Sequence, residues 1–536
     1  MGFRLEILEP QKKKMADMPW KSVSRTSIST GIAGTARALV FIVVGMVLFI
    51  RMWLEVVNIH QPLFEGYIGR QIPTAMVARG LVNGGSFFYP QLQTGPFPSY
   101  FLVEPPIYAW LVKSLNILTG IDLDASGRIV SLTGLALACI GIGKITWRKF
   151  GPDAAFMAIG IMLSLPVSFR YGRSFQPDML AIGTMLLGIA LYDHGHFKKC
   201  WKLLTFGLIL ISLALATRIT LVPLVLVLPG FNLKEMKSSH WKRLFLTSLF
   251  VPIPAMVWYG WAAWLASVSP SQSGGQSGDG LKYWIQMVGP LALFSRETIQ
   301  SILPNILWRS WTPFWIVILP AIVSQLWHDR WQRRWMMALA CWLILVGAKS
   351  HHAYYWLVPA PLIAMTGAAW ACGQSSEGGR RPLRFWILLV WIILGFYQSR
   401  STWKTPLQWQ ALETDLSEIR KIIQIPGQDG FLISHEASIY AVGCEGLRWE
   451  WSDLAQERAI SAWGEGSDLA SGSPLKLLDF YLDKGGRWFL ALENDPDWPG
   501  GKQALEVRLT QSRVVYQKGG LILYEFDRQT PLTGDP

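Results

Sequence analysis

The chain has 536 residues, 51% of them hydrophobic, with 49 Lys and Arg against 36 Asp and Glu for a formal net charge of +13. A mean hydropathy of +0.28 and recurrent apolar runs such as "ARALVFIVVGMVLFI" exclude an ordinary soluble enzyme and indicate a polytopic membrane protein. The excess charge sits in short loops between apolar runs, which is an orientation signal and not a nucleic-acid surface, and five cysteines without CxxC or Cys/His spacing suggest neither a zinc site nor a disulfide framework.

From the N-terminus, residues 1–36 read as a basic cytoplasmic tail (Lys12, Lys13, Lys14, Lys21, Arg25) before an uncleaved first span, since no small-x-small cleavage pattern follows it. Apolar segments follow near 37–54, 129–146, 154–169, 178–192, 203–217, 219–230, 244–264, 312–327, 335–348, 354–372 and 384–398, with 219–230 readable as half of a hairpin with 203–217. Tryptophans such as Trp53, Trp110, Trp147 and Trp201 fall near the ends of these runs, as interfacial rings do.

"PPIYAWLVKSLNILTG" at 105–120 decides the orientation of everything after it. It is short, opens on two prolines and carries Lys113, so it reads as an amphipathic helix lying at the interface. The basic loops "WRKFG", "HFKKCWK", "NLKEMKSSHWKR", "HDRWQRRW" and "GGRRPLR" then share the side of the N-terminus. The expected fold is a polytopic α-helical membrane protein of about eleven spans in the cytoplasmic (inner) membrane, with the N-terminus cytoplasmic and the C-terminus outside. The transmembrane domain runs over 37–399.

Residues 400–536 hold no run of spanning length and read as an extracytoplasmic α/β domain. Helical periodicity covers 409–424, 474–486 looks like a helix ending at glycine, strands are expected at 429–434 and 487–493, and 513–526 reads as a hairpin turning at Gly519-Gly520.

This threading puts 55–128, "RYGRSFQPD" (170–178), 265–311 and "KSHHAYYW" (349–356) on the outer face. Interfacial helices are expected in the first of these, at 105–120 and from Pro73 onwards. Each charge there has a plain alternative. Glu104 before Pro105-Pro106 suits a helix N-terminus, Asp178 after Pro177 suits a cap, and Arg173 suits pairing with Asp178 or snorkelling to headgroups. Glu65 has no local role of this kind, and Lys349 resists the orientation rule. His351 and His352 are adjacent and point in different directions, so they do not make a metal pair by spacing. Together, two or three carboxylates and several cations on one membrane face suit transfer chemistry on an anionic lipid.

The order of these stretches resembles the polytopic glycosyltransferases of the GT-C superfamily, specifically the bacterial branch related to protein O-mannosyltransferases and lipid A aminoarabinose transferases. The family's acidic residue ahead of "WRQ-x-x-TA-x-x-AR" is matched by Glu65, Arg70, Gln71, Thr74, Ala75, Ala78 and Arg79, with Gly69 at the Trp position. "E-x-P-x-Y" is matched by Glu104, Pro106 and Tyr108; "GR-x-F-x-PD" by Gly172, Arg173, Phe175, Pro177 and Asp178; and "HH-x-YYW" by His351 to Trp356. The resemblance covers 37–230 well and 335–372 moderately.

The resemblance implies sugar transfer from a polyprenyl-phosphate donor, in a membrane-lipid setting and without nucleic acid, to a protein, lipid or glycan acceptor at the outer face. It makes Glu65 the catalytic carboxylate, a Glu where Asp is commoner and so one methylene longer in reach. Arg70, Arg173 and Lys349 would neutralise the leaving phosphate, with His351, His352 and Tyr354 beside them, while Asp178 and Glu104 orient the cations or bind a sugar hydroxyl. A divalent metal is left open as cofactor, since carboxylates serve either purpose. The rival readings are a lipid-linked sugar flippase, a glycan ligase of the same architecture and a non-catalytic assembly subunit. A flippase should show polar residues or broken helices near the midplane, where Thr217-Arg218 is the main instance.

Overall fold

The computed structural model describes residues 32–63, 68–228, 250–269, 296–313, 330–372, 381–400, 406–425, 430–449, 474–492 and 508–526, with Trp315, Ile316, Leu319, Trp463 and Leu505 as single positions. The basic tail to residue 31, Glu65, the loops 232–243 and 270–295 and most of the expected span 312–327 lie outside the described residues.

The fold is mostly helical. Helix α1 (Ile32–Val57) is followed by α2 (Ile68–Val82), a two-stranded ribbon of β1 (Gln91–Leu92) and β2 (Ser99–Tyr100), and α3 (Ile107–Thr119). The 13 residues of α3 reach about 20 Å at 1.5 Å per residue, short of a bilayer core. Only Tyr108, Ala109 and Val112 of this helix are buried, while Trp110, Ile117 and Leu118 stay exposed, the one-sided pattern of an interfacial helix. The helix expected from Pro73 starts earlier, at Ile68, and contains the proline.

Helix α4 (Leu123–Phe150) begins where Asp122 Oδ1 accepts the Ala125 N–H at 2.8 Å and ends on Arg148 and Lys149, charges that suit each end of the helix dipole. Then come α5 (Pro152–Ser164), α6 (Pro166–Tyr171), α7 (Asp178–Lys198) and α8 (Trp201–Thr217). The stretch expected as an apolar half-hairpin is instead a 3₁₀ segment, Ile219–Val227, and the chain breaks from helical geometry at Arg218 (φ −148°, ψ 94°). Helices α9 (Ile253–Val268), α10 (Arg330–Val346), α11 (Ala360–Cys372) and α12 (Arg381–Ser399) complete the described apolar bundle, with two 3₁₀ turns over 347–357 between α10 and α11. Among the described residues, Leu123–Phe150 and Ala353–Cys372 are long and apolar enough to cross a bilayer, and shorter apolar helices lie at 152–164, 201–217 and 383–399.

Glycines set the closest helix contacts. Gly127, Gly134 and Gly141 repeat every seven residues along α4; a Cβ at Gly134 would lie 2.6 Å from the Leu180 backbone, and one at Gly183 of α7 would lie 2.0 Å from the Gly134 carbonyl. Two helix backbones can approach this closely only where neither carries a side chain. Gly183→Ala is therefore expected to cost about 3 kcal/mol by overpacking. Gly45→Ala, where nothing lies within 4 Å of the added carbon, should fall within about 1 kcal/mol of wild type, on the stabilising side. Thermal unfolding of the two variants in detergent checks the contrast.

After α13 (Pro406–Ile423) the chain forms β3 (Phe431–Ser434), α14 (Glu436–Val442), β4 (Gly446–Arg448), α15 (Pro474–Asp483), β5 (Gly486–Leu492), β6 (Arg513–Lys518) and β7 (Leu521–Glu525). The strands make one sheet in the order β4-β3-β5-β7-β6, parallel among β4, β3 and β5 and antiparallel from β5 to β7 to β6. Gly519 and Gly520, at φ 60° and 80°, make the β6–β7 turn, which needs the positive φ that glycine adopts freely. One face of this sheet shares an apolar core with α2 and α3: Ala75, Met76, Ala78 and Tyr108 pack in one cluster with Leu416, Ile439, Trp488 and Leu523. Beyond the sheet's β4 edge, the Gly95 N–H donates to Gly446 O and the Gly446 N–H donates to Gln93 O, each at 2.9 Å.

Candidate active site

Three buried charges and the half-buried Arg70, from four chain segments, meet where α2, α3, α7 and the break after α8 converge. Arg70 lies in the first turn of α2, Glu104 just ahead of α3, Asp178 at the first position of α7, and Arg218 at the point where helical geometry stops. Glu104 Oε2 accepts from Arg70 Nη2 and, at 3.3 Å, from Arg218 Nη1. Asp178 Oδ1 accepts from Arg218 Nε at 2.9 Å and from its Nη2, and Asp178 Oδ2 lies 3.5 Å from Arg70 Nε. Each guanidinium thus touches both carboxylates, closing a ring. Desolvating four charges is costly, and mutual pairing of this kind is what offsets it.

The Tyr354 ring lies against both cations, 5.4 Å from Arg70 Cζ and 5.7 Å from Arg218 Cζ, and stacks on the exposed His352 at 5.5 Å. Lys349 stands half-buried in the neighbouring 3₁₀ turn. Burial, then the fields of Arg70 and Arg218, lower its ammonium from 10.5 to about 8. Tyr259, from α9, is in electrostatic reach of Glu104, Arg218 and Arg70. Among the described residues, Lys349 adds a third cation beside the two arginines.

Arg173 does not join this group. It is fully buried, with Nε 3.2 Å from Glu55 Oε2 and Nη2 donating to Asn58 O at 2.9 Å. Glu55 also lies 3.6 Å from Arg51 Nε, and Arg51 Nη2 donates to Ser168 O at 2.7 Å. The expected pairing of Arg173 with Asp178 is replaced by two separate networks, because the turn between α6 and α7 sends the two side chains to opposite neighbours: Arg173 ties α6 back to α1, and Asp178 reaches the four-charge ring. Glu65 lies outside the described residues, and so does the side chain of His351. Arg128 holds the chain just before Glu65, donating to Ile59 O at 3.2 Å and to Gln61 O.

The remaining motif residues act as joinery. Phe175 N–H donates to Gln71 Oε1 at 2.8 Å, Ser131 Oγ donates to Ser174 O at 2.5 Å, and Tyr108 OH donates to Gly127 O at 2.7 Å. Tyr259 and Glu55 are not singled out by the sequence, and Arg218 stands out there only as a midplane charge that would suit a flippase. Arg218 carries the clearest signal of the three, a lone charge between two apolar runs, which membrane segments admit only for a purpose.

A divalent cation does not fit the described residues. No three of their His, Cys, Asp and Glu side chains converge, and Glu104 and Asp178 are both committed to guanidiniums.

Residues 103–259 match the family model described as dolichyl-phosphate-mannose-protein mannosyltransferase, a stretch that includes Glu104, Asp178 and Arg218. No curated protein matches the chain. Among solved structures, ArnT from Cupriavidus metallidurans bound to undecaprenyl phosphate superposes with a TM-score of 0.62 at 12% identity, over 91% of this chain and 98% of that one. The Archaeoglobus fulgidus oligosaccharyltransferase in complex with Zn and sulfate gives a TM-score of 0.53 at 11% identity, over 93% of this chain and 74% of that one. The family-model match over 103–259 and the shared fold bear out the resemblance carried by the motifs: the chain has the architecture of the GT-C glycosyltransferases.

Proposed function

We propose that the protein is a membrane glycosyltransferase that moves a sugar from a polyprenyl-phosphate donor to an acceptor at the outer face of the cytoplasmic membrane. The observation that carries this reading is the Arg70–Glu104–Arg218–Asp178 ring with Lys349 beside it. Cations held in place by packed elements are what a leaving phosphate requires. The family-model match and the bound undecaprenyl phosphate of ArnT point the same way.

In this reading Arg70, Arg218 and Lys349 take up the negative charge as the bond from the anomeric carbon to the phosphate oxygen breaks. The acceptor hydroxyl attacks that carbon and gives up its proton to Glu65. Glu104 and Asp178 are engaged by arginines, so they orient the cations and leave the base role to Glu65. Tyr354 supports both guanidiniums through its ring face. Arg173, locked to Glu55, holds the turn ahead of Asp178 and does not face the phosphate.

Transfer of radiolabelled sugar by the purified full chain, from a panel of polyprenyl-phosphate donors, tests the proposal. Glu65→Gln is expected to lower turnover by about a thousandfold, the middle of what one acid–base group contributes, while undecaprenyl phosphate still binds. Full turnover in Glu65→Gln would remove it as the base. Lipid movement across vesicles with no transfer from any donor would make the protein a transporter.

A further inference from the structure

We infer that Tyr440, in the C-terminal sheet domain, is a positioning residue for the four-charge site, bridging α2, which presents Arg70, and α4, which holds the turn leading to Asp178. This rests on the phosphate-site reading above for its functional consequence, though not for its geometry.

Tyr440 lies on α14 and is buried. Its ring lies 3.9 Å from Arg79 Cζ, and Arg79 Nη1 also donates to Tyr440 O and, at 3.2 Å, to Gln93 Oε1. On its other side the Tyr440 hydroxyl donates to Asp124 Oδ1 at 2.5 Å. One side chain from the C-terminal domain therefore touches α2 through Arg79 and α4 through Asp124. Asp122, not Asp124, caps α4, so the Asp124 carboxylate is left to the tyrosine. Behind α14, Arg420 of α13 donates to Val442 O at 2.9 Å and to Ala441 O at 2.5 Å, fixing the end of the short helix.

Both contacted helices lead to the site. Nine residues separate Arg79 from Arg70, two and a half turns or about 13 Å, so the two arginines leave α2 on opposite sides. One faces the sheet domain and the other the charge ring. Seven residues separate Asp124 from Ser131, two turns that keep both on one face of α4. Ser131 holds the Ser174 carbonyl in the turn that ends at Asp178. Arg70 and Asp178 then meet with Nε 3.5 Å from Oδ2. The Arg79–Tyr440–Asp124 bridge therefore ties α2 to α4, and an error of about 1 Å in their spacing is carried to the charges.

The test uses the full chain in nanodiscs, with hydrogen exchange and undecaprenyl phosphate binding as independent readouts. In Tyr440→Ala, amides of 70–82 and 172–180 should exchange at least about tenfold faster, and the Kd for undecaprenyl phosphate should rise about tenfold. Tyr440→Phe keeps the ring under Arg79 and gives up only the hydrogen bond to Asp124. It should loosen 172–180 while leaving 70–82 near wild type, a split that general destabilisation does not give. Faster exchange confined to 430–449 in Tyr440→Ala, with both site segments and lipid affinity unchanged, would make the bridge a domain anchor only and overturn the inference. If Tyr440→Ala does not fold, unchanged exchange at 172–180 in Tyr440→Phe overturns it equally. Should wild type itself fail to bind undecaprenyl phosphate, the phosphate reading falls, and exchange at 172–180 still decides the bridge.

Discussion

Arg218→Met is expected to weaken undecaprenyl phosphate binding by about a hundredfold, the ~3 kcal/mol that a charge-assisted hydrogen bond contributes in a buried site. The same change strips Asp178 of its main partner and Glu104 of one of two, so the protein should also lose about 3–5 kcal/mol of stability. The double variant Arg218→Met/Asp178→Asn separates the two effects. Neutralising the orphaned carboxylate restores thermal stability, and if Arg218 holds the phosphate the double variant still fails to bind it. Wild-type binding by the stable double variant would remove Arg218 from the phosphate site. Arg218→Lys keeps the charge but cannot bond Asp178 through two nitrogens and Glu104 through a third at once, so it should recover only part of the affinity.

Lys349 gives the second large effect, and its sign differs between binding and stability. Burial and two neighbouring arginines lower its ammonium to about 8, so the free site loses a cation as pH rises through that value. Undecaprenyl phosphate affinity should be level below about pH 7.5 and fall by about tenfold across one to two pH units above 8. Folding stability runs the other way. The unfolded lysine keeps its proton to about 10.5, so between about pH 8 and 10.5 the unfolded chain binds more protons than the folded one. Stability then rises with pH in that window. Lys349→Arg should abolish the affinity decline, and Lys349→Met should give weak, pH-independent binding. Titrating affinity and thermal unfolding in parallel reads both signs, and an affinity decline that persists in Lys349→Arg would assign the titration to another group.

Much of the frame is legible because hydropathy and turn chemistry act locally. The short helix α3, the first turn of α7 at Asp178 and the β6–β7 turn at Gly519-Gly520 all lie where the residues place them. Arg70, Glu104, Asp178 and Tyr354 stand out together in the sequence, and these four do meet. Direction is what stays unread. Arg173 and Asp178 are five residues apart across a non-helical turn, and nothing local says which neighbour each will reach; Glu55, which decides the matter, looks like the end of a membrane span. Arg218 is visible as a charge in an apolar setting, but its value lies in a break from helical geometry, a tertiary outcome made by carboxylates 40 and 114 residues earlier. Tyr440 carries no signal at all, since a tyrosine in a short, largely buried helix usually serves the core.

The clamp between Arg79 and Tyr440 joins residues 361 apart in sequence, and this has a consequence for how the protein is made. Helix α2 leaves the ribosome early, yet the apolar surface it shares with α14 and the sheet has no partner until almost the whole chain is synthesised. Contacts this distant close last and slowly, and a half-made apolar surface is where quality control and aggregation act. A chain truncated before residue 430 would leave its early helices inserted but Ala75, Met76 and Ala78 without the sheet that covers them.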